Sequence, residues 1–224
     1  FIFSSSLNAL KIHPSIKIKI NHRSLFSYFS SAYIHNPDTI YENIHKLKPG
    51  HSIIFKNNEL IEKRYWKLNF HDNFNSKKFD YNEYIEKTKF LLNNSLKINS
   101  RSDVKVGTFL SGGLDSSYIT KELSSISDKK ISTFTAYFPS KKNDERELAK
   151  KSAKIFNTEH YELEINKTLI LNSFNDLIPN LDEPIADSAI IPSYLLSKLS
   201  KENNVKVILT GAGGDELFGG YHRY

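Results

Sequence analysis

The chain has no cysteine. That excludes a disulfide, a thiolate nucleophile or a zinc–cysteine site built from these residues. It has no methionine either, not even at position 1. A complete translated chain normally starts with one, so a fragment or a processed piece is expected. The end, Gly219-Gly220-Tyr221-His222-Arg223-Tyr224, reads as a stop inside a loop. No apolar run reaches the roughly 18 residues that a membrane-spanning helix needs. Phe1-Ile2-Phe3-Ser4-Ser5-Ser6 is too short, and lacks the basic flank, for a secretory signal. The eight histidines show neither His-x-His nor His-Glu-x-x-His spacing, so no histidine-held metal is expected. The excess of one charge is modest: 31 Lys and Arg against 25 Asp and Glu, a net charge of +6. The cations are mostly lysines spread among Asn and Ile, which reads as a solvated surface and not as a nucleic-acid patch.

What is present suits one domain or parts of two, with enough apolar material for a core. Within 1–75, Leu25, Phe26, Tyr28, Phe29 and Tyr33 predict a short aromatic helix. Lys48-Pro49-Gly50-His51 predicts a turn, followed by strands over 52–56 and 60–66 joined as a hairpin at Asn57-Asn58. Asn69 to Lys78 is polar and reads as a linker, which divides the chain into 1–75 and 76–224. In the second part the period changes. Asp80 with Glu83 resembles a capping box ahead of helical spacing at Tyr81, Tyr84, Ile85, Thr88, Leu92 and Leu96. A buried strand is predicted over 104–110, a helix from Ser116 to Ser127, and a strand over 131–138. Leu148, Ser152, Ile155 and Phe156 mark a helix, and Tyr161, Leu163 and Ile165 a strand with one polar face. Helices through Ile170 and Tyr194 precede a last strand over 205–210. Such alternation implies a parallel sheet with helices on both faces, and ligands at the carboxyl ends of its strands.

Two loops fall at such ends. Ser111-Gly112-Gly113-Leu114-Asp115-Ser116-Ser117 lies between a strand and a helix, where close backbone approach, free amides and the helix dipole favour an anion. It is not a Walker A loop, because no Gly-Lys-Ser/Thr follows. An acid inside a phosphate loop makes sense if Mg²⁺ bridges Asp115 and the phosphates. The second loop, Thr210 to Tyr221, carries five glycines in the ten residues from Gly211. Its Asp215 is a second candidate Mg²⁺ carboxylate, or alternatively a helix cap.

The first loop looks like the pyrophosphate loop of ATP pyrophosphatases that adenylate a substrate. Together with Asp215-Glu216-Leu217-Phe218-Gly219-Gly220-Tyr221, it resembles glutamine-hydrolysing asparagine synthetase and its close amidotransferase relatives. Leu181-Asp182-Glu183-Pro184, Ala186-Asp187 and Ile191-Pro192-Ser193-Tyr194-Leu195-Leu196 match too. So do Lys46-Leu47-Lys48-Pro49-Gly50-His51 and Tyr65-Trp66-Lys67-Leu68, so the likeness runs from Phe3 to Tyr224. It implies an α/β parallel-sheet ATP-pyrophosphatase domain (adenine nucleotide α-hydrolase-like) over 76–224. Ahead of it, 1–75 would be the C-terminal part of an Ntn-type α+β glutaminase domain. It implies adenylation of the aspartate β-carboxylate by ATP with release of pyrophosphate, then attack by ammonia derived from glutamine. Ser111, Gly112, Gly113, Asp115 and Ser116 would hold the pyrophosphate. The backbone at Phe109 and Leu110, with Ala136, would line the adenine, and Thr210 and Gly211 would contact the nucleotide from the other side. Asp115 and Asp215, the catalytic pair, would share Mg²⁺. Small molecules are the expected partners, without nucleic acid or membrane; a cytoplasmic location is expected and a homodimer is left open.

Two departures stand out. The family commonly has an acid after the first glycine of the second loop, where this chain has Ala212, and often a glutamate where Ser6 stands. The family's N-terminal cysteine nucleophile is not in this chain and its catalytic lysine is expected downstream, so this piece alone is expected to be inactive. The alternatives are a sibling amidotransferase acting on another carboxylate such as a sugar acid, a tRNA-modifying ATP pyrophosphatase, and a non-catalytic nucleotide-binding module.

Overall fold

The computed structural model describes residues 1–69, 80–139 and 145–221. Most of the predicted linker, 70–78, and the last three residues, 222–224, lie outside the described residues. The chain forms two compact units. One is Phe1–Lys77 with Asn175–Ser188; the other is Lys78–Phe174 with Ala189–Tyr224.

The first unit holds α1 (Leu7–Lys11), α2 (His22–Ser31) and a hairpin of β1 (His51–Lys56) and β2 (Glu59–Arg64). Helix α2 starts where the Asn21 side chain accepts the amides of Arg23 and Ser24, and it ends at Ala32 in the left-handed region, so Tyr33 lies past it. The hairpin turns on Asn57 and Asn58 at φ 53° and 63°, the left-handed pair that a two-residue turn needs. Register runs from His51↔Arg64 to Lys56↔Glu59. The second strand stops before Tyr65, because the amides of Tyr65 and Trp66 turn back to the Gly50 carbonyl at 2.8 and 3.2 Å. Gly50 sits at φ 70°, and a Cβ there would run into the Trp66 carbonyl.

Residues 175–188 are fastened into this unit by their acids. The Asp182 carboxylate accepts the Ser6 hydroxyl at 2.7 Å and the Asn8 amide at 3.0 Å. The Glu183 carboxylate accepts the Ile40 amide at 3.0 Å and pairs with the Lys46 ammonium.

The second unit contains α3 (Tyr81–Asn99), β3 (Val106–Phe109), α4 (Leu114–Ile126), β4 (Ser132–Tyr137), α5 (Arg146–Ile155) and β5 (Glu159–Glu164). Then follow α6 (Lys167–Leu177), which crosses the division between units, α7 (Ile190–Glu202), β6 (Val207–Leu209) and α8 (Gly214–Phe218). Asp80 caps α3 by accepting the amides of Asn82 and Glu83. The sheet order is β5-β4-β3-β6, and every pair is parallel. The chain lays strands outward from β3 and then returns to the other side of β3 with β6. The crevice at the carboxyl end of β3 is therefore the point where strand order reverses, the position that such sheets use for ligands.

Register puts Thr108 beside Thr133 and Phe109 beside Phe134, which fixes the two faces. On one face Leu110 packs on Ala149 and Ala153 of α5, and Thr108 meets Thr120 of α4. On the other, Phe134, at 0% exposure, packs with Val205 and with Leu196 of α7. Burying a phenylalanine of this kind contributes about 1.5–3 kcal/mol. The strand over 104–110 is shorter than expected, with Val104 exposed, yet the Leu110 amide still donates to the Phe134 carbonyl at 2.9 Å.

Candidate nucleotide site

The chain leaves β3 with its backbone held. The Leu110 amide is bonded to β4, and the Leu110 carbonyl accepts the Thr135 hydroxyl. The next turn passes through Gly112 at φ 86°. A Cβ at this position would come within 3.0 Å of the Glu145 carbonyl and of Leu148. Helix α4 then begins at Leu114 after Gly113 as N-cap, earlier than the expected Ser116, so Asp115 and Ser116 sit in its first turn. A carboxylate there complements the helix dipole. The Ser116 hydroxyl ties this turn together: it accepts the Ser111 amide at 3.2 Å, donates to the Gly113 carbonyl at 3.2 Å and lies 2.9 Å from the Ser111 hydroxyl. The Gly113 amide in turn donates to the Ser111 hydroxyl at 3.3 Å.

The second loop comes off β6 and presses against this first turn. A Cβ on Gly211 would meet the Asp115 Cβ at 3.0 Å and the Ser116 nitrogen at 3.1 Å, and one on Gly214 would overlap the Asp115 carboxylate. Gly220 stands in the same relation to the Asp215 carboxylate. Asp215 lies in the first turn of α8. The Ala212 amide donates to the Thr210 hydroxyl at 3.4 Å.

Both loops wall one cavity of ≈ 790 Å³ at the carboxyl ends of β3, β4 and β6. From the first come Ser111, Gly113, Asp115 and Ser116, and from the second Thr210, Gly211, Ala212 and Asp215; Phe109, Leu110 and Ala136 line the sheet side. Gly112 is not on the wall and instead faces α5. Pro192, Leu196 and Phe218, which belong to the runs that carry the resemblance, also line the cavity, as does Thr135. The spacing of Pro192 and Leu196, one helical turn apart, was the signal available for that wall. Among the described residues, Asp115 and Asp215 are its charged side chains.

This wall suits Mg²⁺. Carboxylate oxygens are the hard donors it prefers, and glycine at 214 leaves room beside Asp115 that any side chain would fill. Among the described residues no cluster of three His, Asp or Glu could hold a metal. An ion here would draw its other ligands from phosphate and water.

His160 stands apart from this cavity. Burial pushes its imidazole below the usual range, against the opposing pull of Glu162. Its Nδ1 lies 2.9 Å from the Thr133 hydroxyl.

A parallel sheet with a Ser-Gly-Gly loop at its reversal point is an α/β fold of the ATP-pyrophosphatase kind. The chain belongs to the asparagine synthase family: residues 87–224 match the asparagine synthase family model, and residues 1–66 match that of the glutamine amidotransferase domain. It is 36% identical over 230 residues to a protein of Methanocaldococcus jannaschii named as a putative glutamine-hydrolysing asparagine synthetase, covering 99% of this chain and 43% of that one. It is 30% identical over 223 residues to glutamine-hydrolysing asparagine synthetase 1 of Bacillus subtilis, covering 99% of this chain and 34% of that one. The chain thus spans less than half the length of these relatives. Among solved structures, an NH3-dependent NAD synthetase from Campylobacter jejuni superposes with a TM-score of 0.40 at 18% identity, over 64% of this chain and 61% of its own.

Proposed function

We propose that this chain is part of an ATP-dependent, glutamine-hydrolysing amidotransferase that makes asparagine. The observation that carries the reading is the contact of Gly211 and Gly214 with Asp115, which joins the two glycine-rich loops on one cavity. A carboxylate oxygen of aspartate attacks the α-phosphorus of ATP, and the bond to pyrophosphate breaks. Ammonia then displaces AMP from the acyl-adenylate, giving the amide and a proton. Carboxylate oxygen is a poor leaving group and AMP a good one, so the first step makes the second feasible. In this reading Ser111, Gly113 and Ser116 bind the departing pyrophosphate, Gly112 shapes their loop, and Thr210 and Gly211 close the nucleotide from the other side. Phe109, Leu110 and Ala136 contact the adenine, Leu110 through its backbone, since its side chain is packed on Ala149 and Ala153. With two carboxylates on the wall, the polyphosphate needs a cation, which Asp115 and Asp215 would hold. Mg²⁺, when bound, offsets the charge that develops on pyrophosphate. Calorimetry of ATP binding with and without Mg²⁺ tests this. We expect tighter binding with the ion, and Asp115→Ala should reduce that difference. Equal affinity in both conditions for the unsubstituted chain would remove the ion site from the reading.

Ala212 supports a second acceptor. It puts a methyl group on the cavity wall where the family commonly has an acid, so the substrate under this reading is another carboxylic acid. In the full-length protein, Ala212→Glu should then raise aspartate-dependent pyrophosphate release about tenfold, equal to about 1.4 kcal/mol in the barrier. If the unsubstituted enzyme already turns over aspartate and the substitution changes nothing, the acceptor is aspartate.

A further inference from the structure

Under the Ser111–Ser116 turn lies a second pair of hydroxyls, closed off from solvent. Thr120 on α4 and Thr108 on β3 are both 0% exposed. The Thr120 hydroxyl donates to the Ser116 carbonyl at 2.7 Å. Having given its proton there, it must accept from Thr108, whose oxygen is 2.8 Å away. A line of donors therefore runs from the central strand to Ser116, whose own hydroxyl receives the Ser111 amide. Core packing does not call for this arrangement. Valine has the shape of threonine, and two facing valines would fill the same space with no polar group to satisfy. Neither threonine lines the cavity.

We propose that Thr120, backed by Thr108, is a positioning residue for the pyrophosphate loop, holding the Ser116 carbonyl so that the first turn of α4 presents its hydroxyl and amides to the phosphates. The inference rests on the nucleotide reading above. The side chain back-bonds to the carbonyl four residues earlier, which ties it to the first turn of α4, the turn that carries Asp115 and Ser116.

Three variants of this chain test it: Thr120→Val, Thr108→Val with Thr120→Val, and Thr120→Ser. Thr120→Val strands the buried Thr108 hydroxyl and should lower Tm. The double variant removes both partners and should recover most of that Tm. Affinities are then read for Mg-ATP and for adenosine. The expected result is about tenfold weaker Mg-ATP binding in both valine variants, the loss of one well-placed hydrogen bond, with adenosine binding unchanged. Thr120→Ser should stay close to the unsubstituted chain. A double variant that binds Mg-ATP normally would overturn the proposal, as would equal losses for adenosine and ATP, or a double variant that does not fold. If the unsubstituted chain binds no Mg-ATP, the nucleotide reading falls and takes this one with it. If it binds and the variants match it, only the positioning role falls.

Discussion

Asp182 shows how one side chain reports on its surroundings. Burial pushes its carboxyl upward, but hydrogen bonds from the Asn8 amide, the Ser6 hydroxyl and the Leu7 amide, with the charge of Lys11, outweigh that. The net position is below the usual carboxylate range. A carboxyl lowered in the folded state takes up its proton more readily when unfolded. It therefore stabilises the fold at pH values above the ordinary carboxylate range, and that contribution is lost as pH falls through the folded value. Denaturant unfolding followed from about pH 7 to about pH 3 should show this loss, and Asp182→Asn should flatten it. An unchanged pH profile in the variant would mean that Asp182 is not a source of the acid sensitivity. Ser6 matters for the same reason. Its hydroxyl donates to Asp182, and a carboxylate in its place would face that of Asp182.

Elements with a local cause were legible. The Asn57-Asn58 turn fixed the hairpin, Asp80 marked the start of α3, and the β-branched and aromatic run over 131–138 marked β4. The start of α4 was misplaced because Gly113 has no side chain with which to signal a cap. Helix α1, five residues long, shows no period to read. The burial of the threonines was not legible: Thr108, Thr133 and Thr135 are inside the core because hydroxyl partners meet them there. In the candidate site, the two loops stood out because glycine is scarce elsewhere; seven of the nine glycines lie in them. Their meeting across Asp115 depends on β6 returning beside β3, which no local pattern announces. Thr135 looked like an ordinary strand residue, since wall and core draw on the same residue types.

At the scale of the whole molecule, the chain crosses between its two units three times, at 77–78, 174–175 and 188–189. The polar composition of 69–78, with few apolar anchors, makes it the expected first site of proteolysis. Cutting there should nick the chain without releasing the units, because Asn175–Ser188 stays fastened to the first unit through Ser6 with Asp182 and Lys46 with Glu183. The two fragments should elute together from a sizing column under native conditions, and separate elution would show that these bonds do not hold the segment. The order of synthesis follows from the same interleaving. Domains usually fold as each leaves the ribosome, the N-terminal one first. Here the first unit lacks its last segment until residue 188 has been translated, by which time the strands β3, β4 and β5 of the second already exist. A message cut short between the codons for residues 78 and 174 therefore encodes a first unit with Ser6 and Lys46 but without the acids that they hold.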